Sequence, residues 1–176
     1  YTGSSKTKIY LNEDGILNVN NLQPRMANVY GGHLSFVDYN NDGFLDISMS
    51  GLATVNFSTF TALLLYKWEN GTYVLDDDEN QLSITDGYWG GQYNHDWADY
   101  DNDGDLDLVS GGISIFDNTN YLTIFKNNNG ILSKDTTQTD LIPLFPCALI
   151  WIDINGDNYK DLLTLGRLQL NGVSHM

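Results

Sequence analysis

Three stretches of the chain carry oxygen-bearing side chains at a spacing suited to a hard divalent cation. They are Asp38-Tyr39-Asn40-Asn41-Asp42-Gly43-Phe44-Leu45-Asp46, Asp99-Tyr100-Asp101-Asn102-Asp103-Gly104-Asp105-Leu106-Asp107 and Asp153-Ile154-Asn155-Gly156-Asp157-Asn158-Tyr159-Lys160-Asp161. In each, Asp or Asn stands at positions 1, 3, 5 and 9. Alternate residues of a tight loop aim their side chains at a common centre. Positions 1, 3 and 5 can therefore supply three oxygens, position 7 a backbone carbonyl and position 9 a further carboxylate, which suits calcium with its roughly 6–8 oxygen ligands. Position 7 is Phe44, Asp105 or Tyr159, a variety that a backbone ligand permits. Position 6 requires a sharp turn, which Gly43 and Gly104 supply and Asn158 tolerates.

The same residues exclude other metal chemistry. No His or Cys stands among the ligands, which argues against zinc and copper, and magnesium would keep more water and use fewer carboxylates. A helical calcium hand would need Glu at position 12, where this chain has Met49, Ser110 and Thr164. Three equivalent Ca2+ sites at one period fit structural staples better than a catalytic ion, which is usually needed once. The middle loop, with four carboxylates among its side-chain ligands against three in each outer loop, is expected to bind tightest.

Short apolar runs position these loops. Phe36, Trp97 or Trp151 stands two residues before each, and Leu45 to Met49, Leu106 to Val109 and Leu162 to Leu165 follow, closing on Gly51, Gly112 and Gly166. Such runs, bounded by turn residues, predict strands buried on both faces. A hairpin pattern around Gly15, Gly71 and Gly130 alternates with the acidic loops. The glycines are 56 and 59 residues apart and the first aspartates of the loops 61 and 54 apart, so both motifs share one repeat unit. Each unit holds four strands, and no segment shows a sustained helical period. The expected fold is all-β: three four-stranded β-propeller blade equivalents forming a single repeat region over residues 1–176, with a half unit at 1–28, full units at 29–80 and 81–138, and a half unit at 139–176. Closed propellers take about four to eight blades. Three equivalents thus predict a partial propeller, completed by the rest of a longer chain or by other chains.

Composition narrows the function classes. Of 176 residues, 23 are acidic and 8 basic, a formal charge of −15 that opposes nucleic-acid binding and attachment to anionic membranes. Eleven of those acids lie in the three loops. Cys147 is the single cysteine, so no internal disulfide forms. No run of about 18 apolar residues predicts membrane insertion. A first residue of Tyr1, with no visible signal peptide, fits a processed protein or a piece of a longer one.

On these residues the chain resembles the FG-GAP, or integrin-alpha-like, calcium-binding propeller repeats and the related VCBS type. Tyr30-Gly31 and Trp89-Gly90 match the aromatic-Gly pair that opens such a repeat. Ser50-Gly51-Leu52 and Ser110-Gly111-Gly112 loosely match its closing turn, and Tyr66 to Tyr73 and Phe125 to Ile131 match the VCBS hairpin. The third unit departs, with Phe145-Pro146 and Leu165-Gly166-Arg167. The resemblance implies a secreted or cell-surface module without enzymatic activity, stabilised by calcium and serving adhesion, ligand binding or assembly. Its partner would be a protein or carbohydrate at the cell surface, or further copies or a longer propeller chain. A carbohydrate-binding propeller and a structural subunit of an extracellular polymer or fibre are the alternatives.

Remaining candidates read as follows. Trp97 and Trp151 share a repeat position with Phe36 and are expected in the core, whereas Trp68 and Trp89 lie outside it and are available as a sugar platform. His33, His95 and His175 have no recognisable nucleophile partner. Asp76-Asp77-Asp78-Glu79 reads as a solvated loop or an extra cation site. Asn56 and Asn70 begin N-glycosylation patterns, and both sit in turn-like sequence.

Overall fold

The computed structural model describes residues 7–20, 26–55, 58–76, 90–113 and 119–168. Twelve strands run through them: β1 (Tyr10–Glu13), β2 (Ile16–Val19), β3 (Val29–Val37), β4 (Asp46–Val55), β5 (Ser58–Glu69), β6 (Thr72–Leu75), β7 (Gly90–Ala98), β8 (Asp107–Ile113), β9 (Asn120–Asn128), β10 (Ile131–Lys134), β11 (Leu144–Ile152) and β12 (Asp161–Leu168). No helix occurs among the described residues, as the absence of a helical period implies. Strands β3 to β6 and β7 to β10 form two four-stranded antiparallel meanders, while β1–β2 and β11–β12 form two-stranded sheets. These four sheets do not close into a ring among the described residues.

The hairpins follow from their turn residues. Asp14-Gly15, Asn70-Gly71 and Asn129-Gly130 all take positive φ at both positions, 50° and 87°, 52° and 84°, and 49° and 89°. Two such residues make the mirror-image turn whose twist matches that of the flanking strands. The Asn-Gly and Asp-Gly pairs are the ones that reach it at low cost.

The core lies between the faces of successive sheets. Val37, Leu63 and Leu65 of the first meander pack against Leu108, Phe125 and Leu132 of the second. On the second meander's other face, Val109 and Ile124 pack against Leu149, with Trp151 and Leu162 beside them. A third cluster, Ile47, Met49 and Tyr66, is covered by Ile9 and Met26. Strand β8 is therefore buried on both faces, and Leu108 and Val109 are fully enclosed. Strand β12 is not. Leu163, Leu165 and Leu168 are exposed, contrary to the expectation from their apolar run, because among the described residues no sheet covers that face and no third strand lies along the edge. The strands also run through Gly51 and Gly112 and past Gly166 instead of ending there, and they begin at Asp46, Asp107 and Asp161.

A bulge interrupts the first strand of three of the four sheets, between Tyr30 and His33, Gly90 and Asn94, and Phe145 and Ala148. Tyr30-Gly31 and Gly90 fall on the first two irregularities, and Pro146 takes the third, a place where a strand tolerates proline. At the first bulge the backbones come very close, so a Cβ at Gly32 would stand 1.6 Å from the Ser50 carbonyl oxygen. Gly32→Ala is expected to destabilise by about 3 kcal/mol, the upper end for forced overpacking, measured by urea unfolding; a loss under about 1 kcal/mol would show that the bulge is free to shift.

One polar group sits between the meanders. His95 of β7 is fully buried, with Nε2 2.9 Å from Ser48 Oγ and 3.0 Å from Ser35 Oγ, and Nδ1 2.9 Å from Ser50 Oγ. All three serines belong to the neighbouring sheet. Burial, helped by the edge-on His33 ring at 4.8 Å, lowers the His95 pKa to about 3, so the imidazole is neutral.

Candidate metal-binding loops

Each acidic loop joins the first and second strands of a sheet: β3 to β4, β7 to β8 and β11 to β12. Positive φ occurs twice per loop, at Asn41 and Gly43 (57° and 86°), at Asn102 and Gly104 (59° and 100°) and at Gly156 and Asn158 (79° and 72°). The second of each pair is the position-6 turn expected from sequence. The first, position 4, was not anticipated, although Asn, Asn and Gly are the residues that adopt it most readily.

These two turns fold the chain around the first aspartate. Asp38 accepts the N–H groups of Asp42 and Gly43, both at 3.0 Å. Asp99 accepts those of Asp103 and Gly104 at 3.0 and 3.1 Å. Asp153 accepts those of Asp157 and Asn158 at 3.2 and 2.9 Å, and of Gly156 at 2.6 Å. The position-5 carboxylates take the N–H of position 7, from Phe44 at 2.8 Å, Asp105 at 3.0 Å and Tyr159 at 2.9 Å. Donation from the Asn158 amide, followed by other loop amides, holds the Asp153 carboxyl below the usual range. The loops are thus ordered by their own backbones while each carboxylate keeps lone pairs for a cation.

The ninth position is buried where the outer hairpin covers it. Asp46 and Asp107 are fully enclosed. Asp46 Oδ1 accepts from Trp68 N, and Asp107 Oδ1 from Asn127 N, both at 2.8 Å. Burial raises both carboxyls to about 6. Asp46 Oδ2 and Asp101 Oδ1 are buried without a hydrogen-bond partner. Carboxylate oxygens of Asp99, Asp101 and Asp107 lie within 4.8 Å of one another. Two oxygens each about 2.4 Å from one calcium would be at most about 4.8 Å apart, so the donor set fits that ion.

Neighbouring loops are joined. Asp105 is aimed away from its own loop centre: Oδ1 accepts from Asn41 Nδ2 of the preceding loop at 2.5 Å and Oδ2 from Asn129 N at 2.9 Å. That leaves its main-chain carbonyl as the oxygen position 7 could offer a cation. The buried Asn127 donates through Nδ2 to the carbonyls of Tyr39 at 2.7 Å and Leu106 at 2.9 Å, tying the first loop to the second. Lys126 Nζ pairs with Asp101 Oδ2 at 2.7 Å, so the most acidic loop also carries a cation of its own.

Behind the loops, Tyr39 and Tyr100 donate to Asp76 Oδ2 and Asp135 Oδ2, each at 2.5 Å. Burial alone would raise the Asp135 carboxyl, but hydrogen bonds from Tyr100 and Thr137 outweigh it and hold it at about 2. Asp76 also pairs with Lys67 at 3.0 Å. It is thus a structural acceptor rather than part of a solvated acidic run, while Asp77, Asp78 and Glu79 lie outside the described residues. Sequence gave a signal for this role, since Asn20, Asp76 and Asp135 recur at the repeat period.

Trp97 packs into the first core cluster, and Trp151 stacks on Tyr100 with ring centroids 5.5 Å apart, as their repeat position implies. Trp68 is half-buried, edge-on to Tyr73 at 4.8 Å, and does not present an open platform. Asn70 is exposed in its turn. Trp89, His175 and Asn56 lie outside the described residues.

Among the described residues no helix is long and apolar enough to cross a membrane. Neither the curated proteins nor the solved structures contain a significant match to the chain. The family model described as FG-GAP-like repeat matches residues 99–164, which run from the first aspartate of the middle loop through β8 to β11 and the third loop into β12. Residues 99–164 are accordingly similar to an FG-GAP-like repeat, the family that the acidic loops and aromatic-Gly pairs resemble.

Proposed function

We propose that the chain is a calcium-stabilised, non-enzymatic β-propeller-type module of a secreted or cell-surface protein, serving adhesion, ligand binding or assembly. The observation that carries this reading is the pair of buried, unpartnered carboxylate oxygens on Asp46 and Asp101, within loops whose backbones already gather further oxygens. A buried carboxylate without a partner is costly, and a cation held beside it removes the cost. Asp38, Asn40, Asp42, Asp46 and the Phe44 carbonyl would hold the first ion. Asp99, Asp101, Asp103, Asp107 and the Asp105 carbonyl would hold the second, and Asp153, Asn155, Asp157, Asp161 and the Tyr159 carbonyl the third. An extracellular setting is supported by the family match, since such repeats are typically extracellular.

Asp103→Ala is expected to weaken calcium binding more than Asn40→Ala, because it removes a charge as well as the acceptor of the Asp105 amide. A calcium titration followed by calorimetry checks the ranking, and equal losses would contradict it.

A further inference from the structure

We infer that Lys126 sets the cation affinity of the middle loop: its ammonium cancels the extra charge that Asp101 brings, so this loop holds a divalent cation no more tightly than the first. Removal of the Lys126 charge then makes the middle loop the tightest of the three. The inference deepens the calcium reading and rests on it.

Position 3 is where the loops differ in charge. Asn40 and Asn155 are neutral and are held within their own loops. Their Oδ1 atoms accept the N–H of Asp42 at 3.1 Å and of Asp157 at 2.9 Å, and their Nδ2 atoms donate to Asp42 Oδ2 and Asp157 Oδ2, both at 3.0 Å. Asp101 is charged and is held from outside its loop, with Oδ2 2.7 Å from Lys126 Nζ on β9. Its Oδ1 is buried without a hydrogen-bond partner, in the group that Asp101 forms with the carboxylates of Asp99 and Asp107. The one carboxylate therefore faces two ways, with Oδ2 on the lysine and Oδ1 left for an ion.

The first meander shows what the same lysine does when position 3 is neutral. Lys67 precedes Trp68 as Lys126 precedes Asn127, and the Trp68 and Asn127 amides make equivalent bonds to Asp46 and Asp107. Lys67 nevertheless pairs with Asp76 behind the loop, at 3.0 Å, whereas Lys126 reaches forward to Asp101. Asp135, the counterpart of Asp76, is engaged by Thr137 through N at 2.8 Å and Oγ1 at 2.7 Å. The charge at position 3 accounts for the different reach, since Asn40 offers an ammonium no net attraction and Asp101 does.

The consequence reverses the ranking that a count of carboxylates gives. The middle loop has four ligand carboxylates against three in the first, and Lys126 brings its net charge back to that of the first. An ammonium and a divalent ion on one carboxylate repel enough, even in a water-like dielectric, to lower affinity about ten-fold. Lys126 is 44% exposed, so salt screens this repulsion.

Isothermal titration calorimetry of the intact chain with calcium chloride tests the inference. In Lys126→Met, one ion per chain should bind about ten-fold more tightly than any ion of the wild type, and the gain should shrink as sodium chloride is added. Lys126→Gln should show the same gain, Lys126→Arg should keep the wild-type affinities, and adding Asp101→Asn to Lys126→Met should abolish the gain. Matching circular dichroism spectra establish that the variants are folded. Calcium bound equally by wild type, Lys126→Met and Lys126→Gln, or more weakly by both variants, would overturn the inference and leave the calcium reading standing, as would an equal gain in Lys126→Arg. Absence of calcium uptake by wild type and variants alike would overturn the calcium reading, and this inference with it.

Discussion

Treatment with a calcium chelator lowers the melting temperature by about 10 °C, and added calcium restores it. Each ion that binds only the folded chain, present at about ten times its dissociation constant, contributes about 1.4 kcal/mol, so three contribute about 4 kcal/mol. A chain of this length shifts by roughly 2–4 °C per kcal/mol. The effect should be concentrated at Asp46 and Asp107, because ions there would neutralise carboxylates that the outer hairpins shut away from water. Magnesium at the same concentration should restore much less, since it prefers a smaller shell and retains its waters. Differential scanning calorimetry is the measurement, and a transition unmoved by chelation would contradict the expectation.

The second large effect comes from His95. Its folded pKa of about 3 lies below the ordinary value of 6.5, so the unfolded chain takes up a proton that the folded chain refuses. The contribution is fully present above pH 6.5 and is lost as the pH falls toward 3, at about 1.4 kcal/mol per unit, or about 2.7 kcal/mol by pH 4.5. The titratable group set against it is His33 of β3, and the other partners are the neutral hydroxyls of Ser35, Ser48 and Ser50. The buried carboxylates act in the opposite sense, since folded pKa values of about 6 stabilise the chain as it acidifies without calcium. Comparison with His95→Gln cancels that common term. Wild type should lose stability faster than the variant between pH 6.5 and 4.5 in urea unfolding, and parallel curves would contradict the account.

What sequence reveals and what it hides divide along the reach of each interaction. The turn positions of the three acidic loops and the Asn-Gly and Asp-Gly turns of the hairpins are legible because a local run of residues decides them. So is the split of the chain into two meanders flanked by two half-sheets, which follows from the alternation of two motifs at one period. His95 is not legible, since its partners lie on β3 and β4 of the neighbouring sheet and its repeat equivalents, Leu34 and Leu149, are apolar. Asp105 reads as a nearby loop carboxylate, but its side chain latches the preceding loop through Asn41, a contact 64 residues away. The exposure of Leu163 and Leu165 is equally hidden: an apolar run reports that a strand expects to be covered, not whether the cover is present.

Among these measurements, counting bound calcium is the most direct. Equilibrium dialysis of the intact chain against calcium should give three ions per chain, and the count should fall when Asp99 and Asp103 are replaced together by alanine. A count near zero, or one that this double replacement leaves unchanged, would contradict the assignment of the three loops as calcium sites.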